Sequence, residues 1–157
     1  MWFRWERFRH DYPASPMDQV QYGHWLRGVT GDLDAQRAWN ADLVEDVKAI
    51  LQPGDVNLVY LAFSSIFTST PLQAYLTMWG IRTLLLSGYH TEWCIETAAR
   101  AARDLGYMPI VIGDACAGET PEIHLDTLRR LDHIFAPVIA TDTAIDLIRK
   151  GAGRLSP

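Results

Sequence analysis

The fourteen residues from Ile81 to Cys94, IRTLLLSGYHTEWC, constrain what this chain can fold into more than any other stretch. Ile81 to Ser87 carries three consecutive leucines and no acidic residue, the pattern of a strand buried on both faces of a parallel sheet. Gly88 breaks that strand. Thr91 then stands as a helix N-cap, and EWCIETAARAARDL is alanine-rich and helical until Gly106 supplies the C′ stop. Cys94 therefore falls in the first turn of a helix, just beyond the carboxyl end of a central strand, where open α/β sheets place their ligands. Unpaired amides and the positive helix end favour a thiolate at that location. The competing reading is a small buried core residue, the usual fate of a lone cysteine. A Thr91 cap would also occupy the Cys94 amide that an oxyanion would use, so the two exclude each other in one state.

The rest of the composition narrows the function class. A chain of 157 residues, 48% hydrophobic and 21% charged, reads as one soluble globular domain spanning residues 1–157. A net charge of −5 makes no electrostatic case for nucleic acid or a membrane surface. No apolar run approaches the ~20 residues of a membrane span. The aromatic, arginine-rich amino terminus lacks the apolar core of a signal peptide. The two cysteines, Cys94 and Cys116, stand at no metal or disulfide-framework spacing, so a reducing cytoplasm is expected. No H-x-H or H-E-x-x-H pattern occurs, and no metal is expected. G-x-G-x-x-G, P-loop and G-x-S-x-G patterns are missing as well, and no cofactor is expected. Most of the six tryptophans are expected in the core or at a subunit interface.

Along the chain, strands alternate with helices of ten or so residues. WFRWERFR at the amino terminus predicts a sheet strand rather than a base-stacking surface, given Glu6, Asp11 and the acidic balance. Asp11 to Gly31, rich in Pro and Gly, predicts a long surface loop. Asp32 to Leu51 predicts a helix with Leu43, Val47, Ile50 and Leu51 on one face, and Pro53-Gly54-Asp55 a turn before the strand Val56 to Phe63. Thr70 and Pro71 read as cap and first turn of a helix that buries Leu72, Tyr75, Leu76 and Trp79 and stops at Gly80. After the Cys94 helix comes a strand, Met108 to Gly113, closed by Asp114 to Ala117. Thr120-Pro121 caps a helix to about Leu131, Phe135 to Ala140 is a last strand, and Thr141 or Asp142 caps a final helix through Arg149. Such βαβ units predict an α/β domain of three layers, α/β/α, around a mostly parallel, Rossmann-like sheet.

Several spaced groups of residues resemble one known family, the isochorismatase-like cysteine hydrolases, which include nicotinamidases and ureido- and carbamoyl-amide hydrolases. Ser65-Ile66-Phe67 with Thr70 and Leu72 is similar to the family's S-x-F-x-x-T-x-L segment. Gly88-Tyr89-His90-Thr91-Glu92-Trp93-Cys94-Ile95 resembles its G-x-x-T-x-x-C-V signature. Thr97 to Ala102, Gly106-Tyr107, Asp114-Ala115, Ala117, His124, Leu128, Phe135-Ala136 and Thr141 continue the likeness, which covers roughly Trp2 to Leu147. The resemblance implies a cysteine nucleophile, Cys94, that attacks an amide-type carbonyl and forms a thioester released by water. It implies an oxyanion hole from the amides of His90 and Cys94, with a cis bond at Tyr89–His90. Tyr89, Trp93 and Phe67 become candidate pocket walls, although Tyr89 and Trp93 equally suit a subunit contact. A small-molecule substrate and a homo-oligomer follow from the same likeness.

Two departures qualify the expected activity. Counting back from Ser65, the position of the family's supporting lysine falls on Leu61, and the chain's lysines are Lys48 and Lys150. The family's first strand, with its aspartate base, has no counterpart in the chain, which reads as starting at the second strand. Loss of a general base alone costs about 10²–10⁴ in rate. Two readings therefore stand: a cysteine amidohydrolase, or a family member that binds or assembles without turnover. His90 orients substrate or caps the turn, Asp114 reads as a turn-former rather than a base, and nothing requires Cys116 to react.

Overall fold

The structure, a computed structural model, describes residues 1–6, 16, 42–61, 64–68 and 70–151. The expected loop over residues 11–31 lies outside them apart from Pro16, as does the first part of the helix expected from Asp32. The chain forms two compact units, residues 1–63 with 68–70, and residues 64–67 with 71–157.

In the first unit, β1 (Trp2–Glu6) and β2 (Asn57–Leu61) pair in parallel, with Trp2 opposite Asn57 and Glu6 opposite Leu61. Two side chains pin that register. The Trp2 indole N–H donates to Asp55 at 3.0 Å, and Arg4 Nε donates to Asn57 Oδ1 at 3.0 Å. Asp55 also accepts from the Gln52 amide at 3.0 Å, closing the Pro53-Gly54 turn. The helix before it, α1 (Glu45–Ile50), is shorter than expected and buries none of its residues. It is under two turns long and preceded by a Val44 that offers no capping side chain, and Lys48 makes ion pairs to Asp42 (2.6 Å) and Glu45 (2.9 Å).

The second unit holds a three-stranded parallel sheet in the order β3-β4-β5: Thr83–Tyr89, Met108–Ala117 and Val138–Ile139. Among the described strands of this unit, β3, which carries the chain to Cys94, pairs with β4 alone, and β4 lies between β3 and β5. Of the β3 residues only Leu86 is buried, and Leu85 is 45% exposed, so the expected burial of both faces does not hold. Gly88 does not break β3 either. It lies within the strand at φ +132°, a conformation that excludes most side chains, where the register with β4 slips. Leu86 pairs with Val111 and Gly88 with Cys116, so β4 carries three extra residues across that interval. Asp114 to Ala117 accordingly belong to β4 rather than to a closing turn.

Among the described residues, four α-helices belong to this unit: α2 (Leu72–Met78), α3 (Glu96–Asp104), α4 (Pro121–Arg130) and α5 (Thr141–Arg149). Ala98, Ala99 and Ala102 form the buried stripe of α3, small enough to let the helix lie close on β4. Glu96, in its first turn, takes ion pairs from Arg100 (2.7 Å) and Arg130 (3.3 Å). Gly106 at φ +84° ends it as expected. In α2 Leu72 and Leu76 are buried, but the helix starts after Pro71, so Thr70 is not its cap. Trp79 falls on the C-cap and is 48% exposed, outside the expected stripe. Thr120 caps α4, its hydroxyl accepting from the Ile123 amide at 3.2 Å with Pro121 next in the chain. The last strand is shorter than expected because Phe135 closes a helical turn, Leu131–Phe135, and lies 3.6 Å beneath the Arg100 guanidinium. Neither Thr141 nor Asp142 caps α5 by itself. The Asp114 carboxylate does so from β4, accepting from the Thr141 amide and hydroxyl at 2.8 Å each. Those hydrogen bonds hold the Asp114 carboxyl below the usual range.

Candidate active site

The end of β3, Gly88-Tyr89, leads through a cis Tyr89–His90 bond into a wide helical turn, Thr91–Ile95, that runs on into α3. The turn is wide because its amides reach back five residues: Ile95 N–H donates to the His90 carbonyl at 3.2 Å, and Glu96 N–H to that of Thr91. Trp93 N–H also donates to the His90 carbonyl, at 3.3 Å. Cys94 sits between those two amides as a free, half-buried thiol. It follows the carboxyl end of a parallel strand, as the sequence pattern predicts, but lies in the wide turn ahead of the nine-residue helix rather than in that helix's own first turn.

Thr91 is not the cap of this helix. His90 occupies the cap position in extended conformation, with no capping side chain. The Thr91 hydroxyl, fully buried, instead shares a 2.8 Å hydrogen bond with His124 Nδ1 on α4. The expected competition between a Thr91 cap and an oxyanion for the Cys94 amide therefore does not arise.

Around the turn, the His90 ring lies 3.4 Å from the Tyr89 ring centroid and 5.0 Å from that of Trp93, so three rings from the signature stack together. Tyr89 is 60% exposed. His90 Nδ1 lies 3.3 Å from Glu92 Oε1, which also accepts from the Glu119 amide at 2.9 Å. Glu92 Oε2 is buried with no hydrogen-bond partner among the described residues. Burial pushes the Glu92 carboxyl up, but its own amide, the Glu119 amide and His90 outweigh burial and hold it below the ordinary range.

The candidate residues are not all gathered here. Phe67 stacks on Tyr107 at 6.0 Å, beyond the far end of α3 from Cys94. A nine-residue helix is about 14 Å long, so Phe67 is not brought to the thiol. Cys116 lies opposite Gly88 in the sheet, and burial pushes its thiol up. Glu92 and His124 are the residues that sequence reasoning passed over as partners of the turn. No local pattern links Thr91 to a histidine 33 positions on. Among the described residues no group of three or more His, Cys, Asp or Glu could hold a metal ion.

A parallel α/β sheet with a thiol-bearing turn at a strand end defines a class, and comparison with known proteins identifies it. Residues 8–143 match the Isochorismatase domain, and the chain belongs to that family of isochorismatase-like hydrolases, with their three-layer α/β/α fold. An isochorismatase-like hydrolase from Alkaliphilus metalliredigens is similar at 24% identity and a TM-score of 0.66, over 93% of this chain and 70% of that one. A cysteine hydrolase from Pseudomonas syringae pv. phaseolicola matches at 20% identity and a TM-score of 0.74, over 94% and 71% of the two chains. A nicotinamidase from Bacillus subtilis matches at 26% identity and a TM-score of 0.52, over 57% of this chain and 49% of its own. No described helix is long and apolar enough to cross a membrane.

Proposed function

We propose that this chain hydrolyses a small amide- or ureide-type C–N bond, with Cys94 as nucleophile. One observation carries the reading: a free, half-buried cysteine in the turn that joins the end of β3 to α3. The thiolate adds to the carbonyl carbon, and the oxyanion is received by the amides of His90 and Cys94. The C–N bond then breaks, the amine leaves with a proton, and water hydrolyses the thioester to release the acid and restore the thiol. Tyr89 and Trp93, stacked on His90, stand as walls for a small flat substrate.

A second reading has its own observation. Leu61 ends β2 at the position the family gives to a lysine, and the chain's two lysines are engaged elsewhere. Lys48 pairs with Asp42 and Glu45, and Lys150 lies 3.8 Å from Asp146. Without a supporting cation the same site binds without turning over. The test is ammonia release from a panel of small carboxamides and N-carbamoyl compounds, nicotinamide among them, with mass spectrometry for an acyl adduct on Cys94. Turnover that falls at least about a thousandfold in Cys94→Ser, with the adduct lost, supports the hydrolase. Turnover unchanged in Cys94→Ser sinks the nucleophile, and saturable binding with no turnover selects the second reading.

A further inference from the structure

The turn that carries Cys94 is tied to one distant segment by two consecutive side chains. Thr91 reaches His124 at 2.8 Å, and Glu92 accepts from the Glu119 amide at 2.9 Å. The other Glu92 oxygen presses on Gly118 so closely that a Cβ there would stand 2.7 Å from it. A carboxylate side chain only 9% exposed is expensive to keep unless its hydrogen bonds serve the structure around it. Here they act on the turn itself. Glu92 Oε1 also faces His90 Nδ1 at 3.3 Å, and the His90 carbonyl takes the amides of Trp93 and Ile95, the two neighbours of Cys94.

We propose that Glu92 is a positioning residue: its carboxylate straps the Cys94 turn to the segment Gly118–His124 and so sets where the thiol and its flanking amides stand. Besides Glu92 itself, the ionisable groups on that segment and turn are His90, Cys94, Glu119, Glu122 and His124, and the strap runs through the Glu119 backbone rather than its side chain. The inference rests on Cys94 being the nucleophile, yet it is testable without a substrate.

The experiment compares iodoacetamide alkylation rates of Cys94 and Cys116 by mass spectrometry in the full chain at one pH, for wild type, Glu92→Ala and Glu92→Gln. Both variants remove the charge, but glutamine keeps an oxygen to accept the Glu119 amide. Cys94 in Glu92→Ala is expected to react about tenfold more slowly than in Glu92→Gln, within the cost of an ångström's misplacement, while Cys116 keeps its rate. Equal Cys94 rates in the two variants, or Cys94 and Cys116 changing together, overturn the strap. Should circular dichroism show Glu92→Ala unfolded, Glu92→Asp against wild type replaces it. Aspartate keeps the charge but falls one methylene short, and equal rates there overturn the proposal too. A wild-type Cys94 no faster than Cys116 removes the nucleophile reading, and the variant comparison still decides the strap.

Discussion

Gly118→Ala is the most informative single change to the packing around the turn. A Cβ at this position would lie 2.7 Å from Glu92 Oε2, 2.9 Å from His124 Cβ and 3.1 Å from His124 Cα. The carboxylate is the end of a long side chain, but it is tied to the Glu119 amide, and the His124 backbone belongs to α4. Neither neighbour yields freely. Overpacking of this kind costs about 1–3 kcal/mol, and loosening the carboxylate hydrogen bond adds about 1 kcal/mol. The entropy an alanine removes from the unfolded chain returns about 0.4–1 kcal/mol. The net loss centres on about 2 kcal/mol, which corresponds to roughly 4–8 °C in Tm for a chain of this size. The assay is thermal and urea unfolding followed by tryptophan fluorescence, with Gly54→Ala as control, because no atom lies within 4 Å of a Cβ there. Hydrogen exchange of the peptide covering residues 91–95 should quicken in Gly118→Ala alone. A Tm within about 2 °C of wild type, with unchanged exchange, would refute the reasoning that this contact is tight.

Three further outcomes are expected. Thr91→Val, nearly isosteric at a fully buried site, leaves His124 Nδ1 without its partner and should cost about 1–3 kcal/mol in urea unfolding; a neutral result would mean the bond contributes nothing. Leu131→Ala, at a side chain with no exposure, should cost about 2–5 kcal/mol, and a loss under about 1 kcal/mol would show that the site collapses around the hole. The Asp114 carboxyl titrates lower in the folded chain than in the unfolded one, so its contribution is fully present above the unfolded value near pH 4 and is lost as pH falls through the folded value. Asp114→Asn should therefore flatten the acid side of the stability profile, and an unchanged slope between pH 5 and 2 would contradict the Thr141 contacts as its cause.

The sequence by itself determined which segments are strands and helices, because apolar period and breaker residues are local signals. Leu84 to Leu86, the alanines of α3, Gly106, and the Thr120-Pro121 cap all act on their own neighbourhood, and each predicts its element. The spacing around Cys94 likewise carried the family and the placement of the thiol after a strand. What only the tertiary structure decided is who meets whom. The register slip between Leu86 and Gly88 lengthens β4 and puts Asp114 beneath Thr141, a contact no turn pattern foretells. Packing of α4 near the turn takes Thr91 from capping duty to His124 and brings Gly118 against Glu92. Phe67, a candidate pocket wall by the family resemblance, finds its ring partner in Tyr107, forty positions on. Local periodicity fixes the direction of a side chain relative to its own backbone, whereas its partner depends on registers and helix packings set by residues far along the chain.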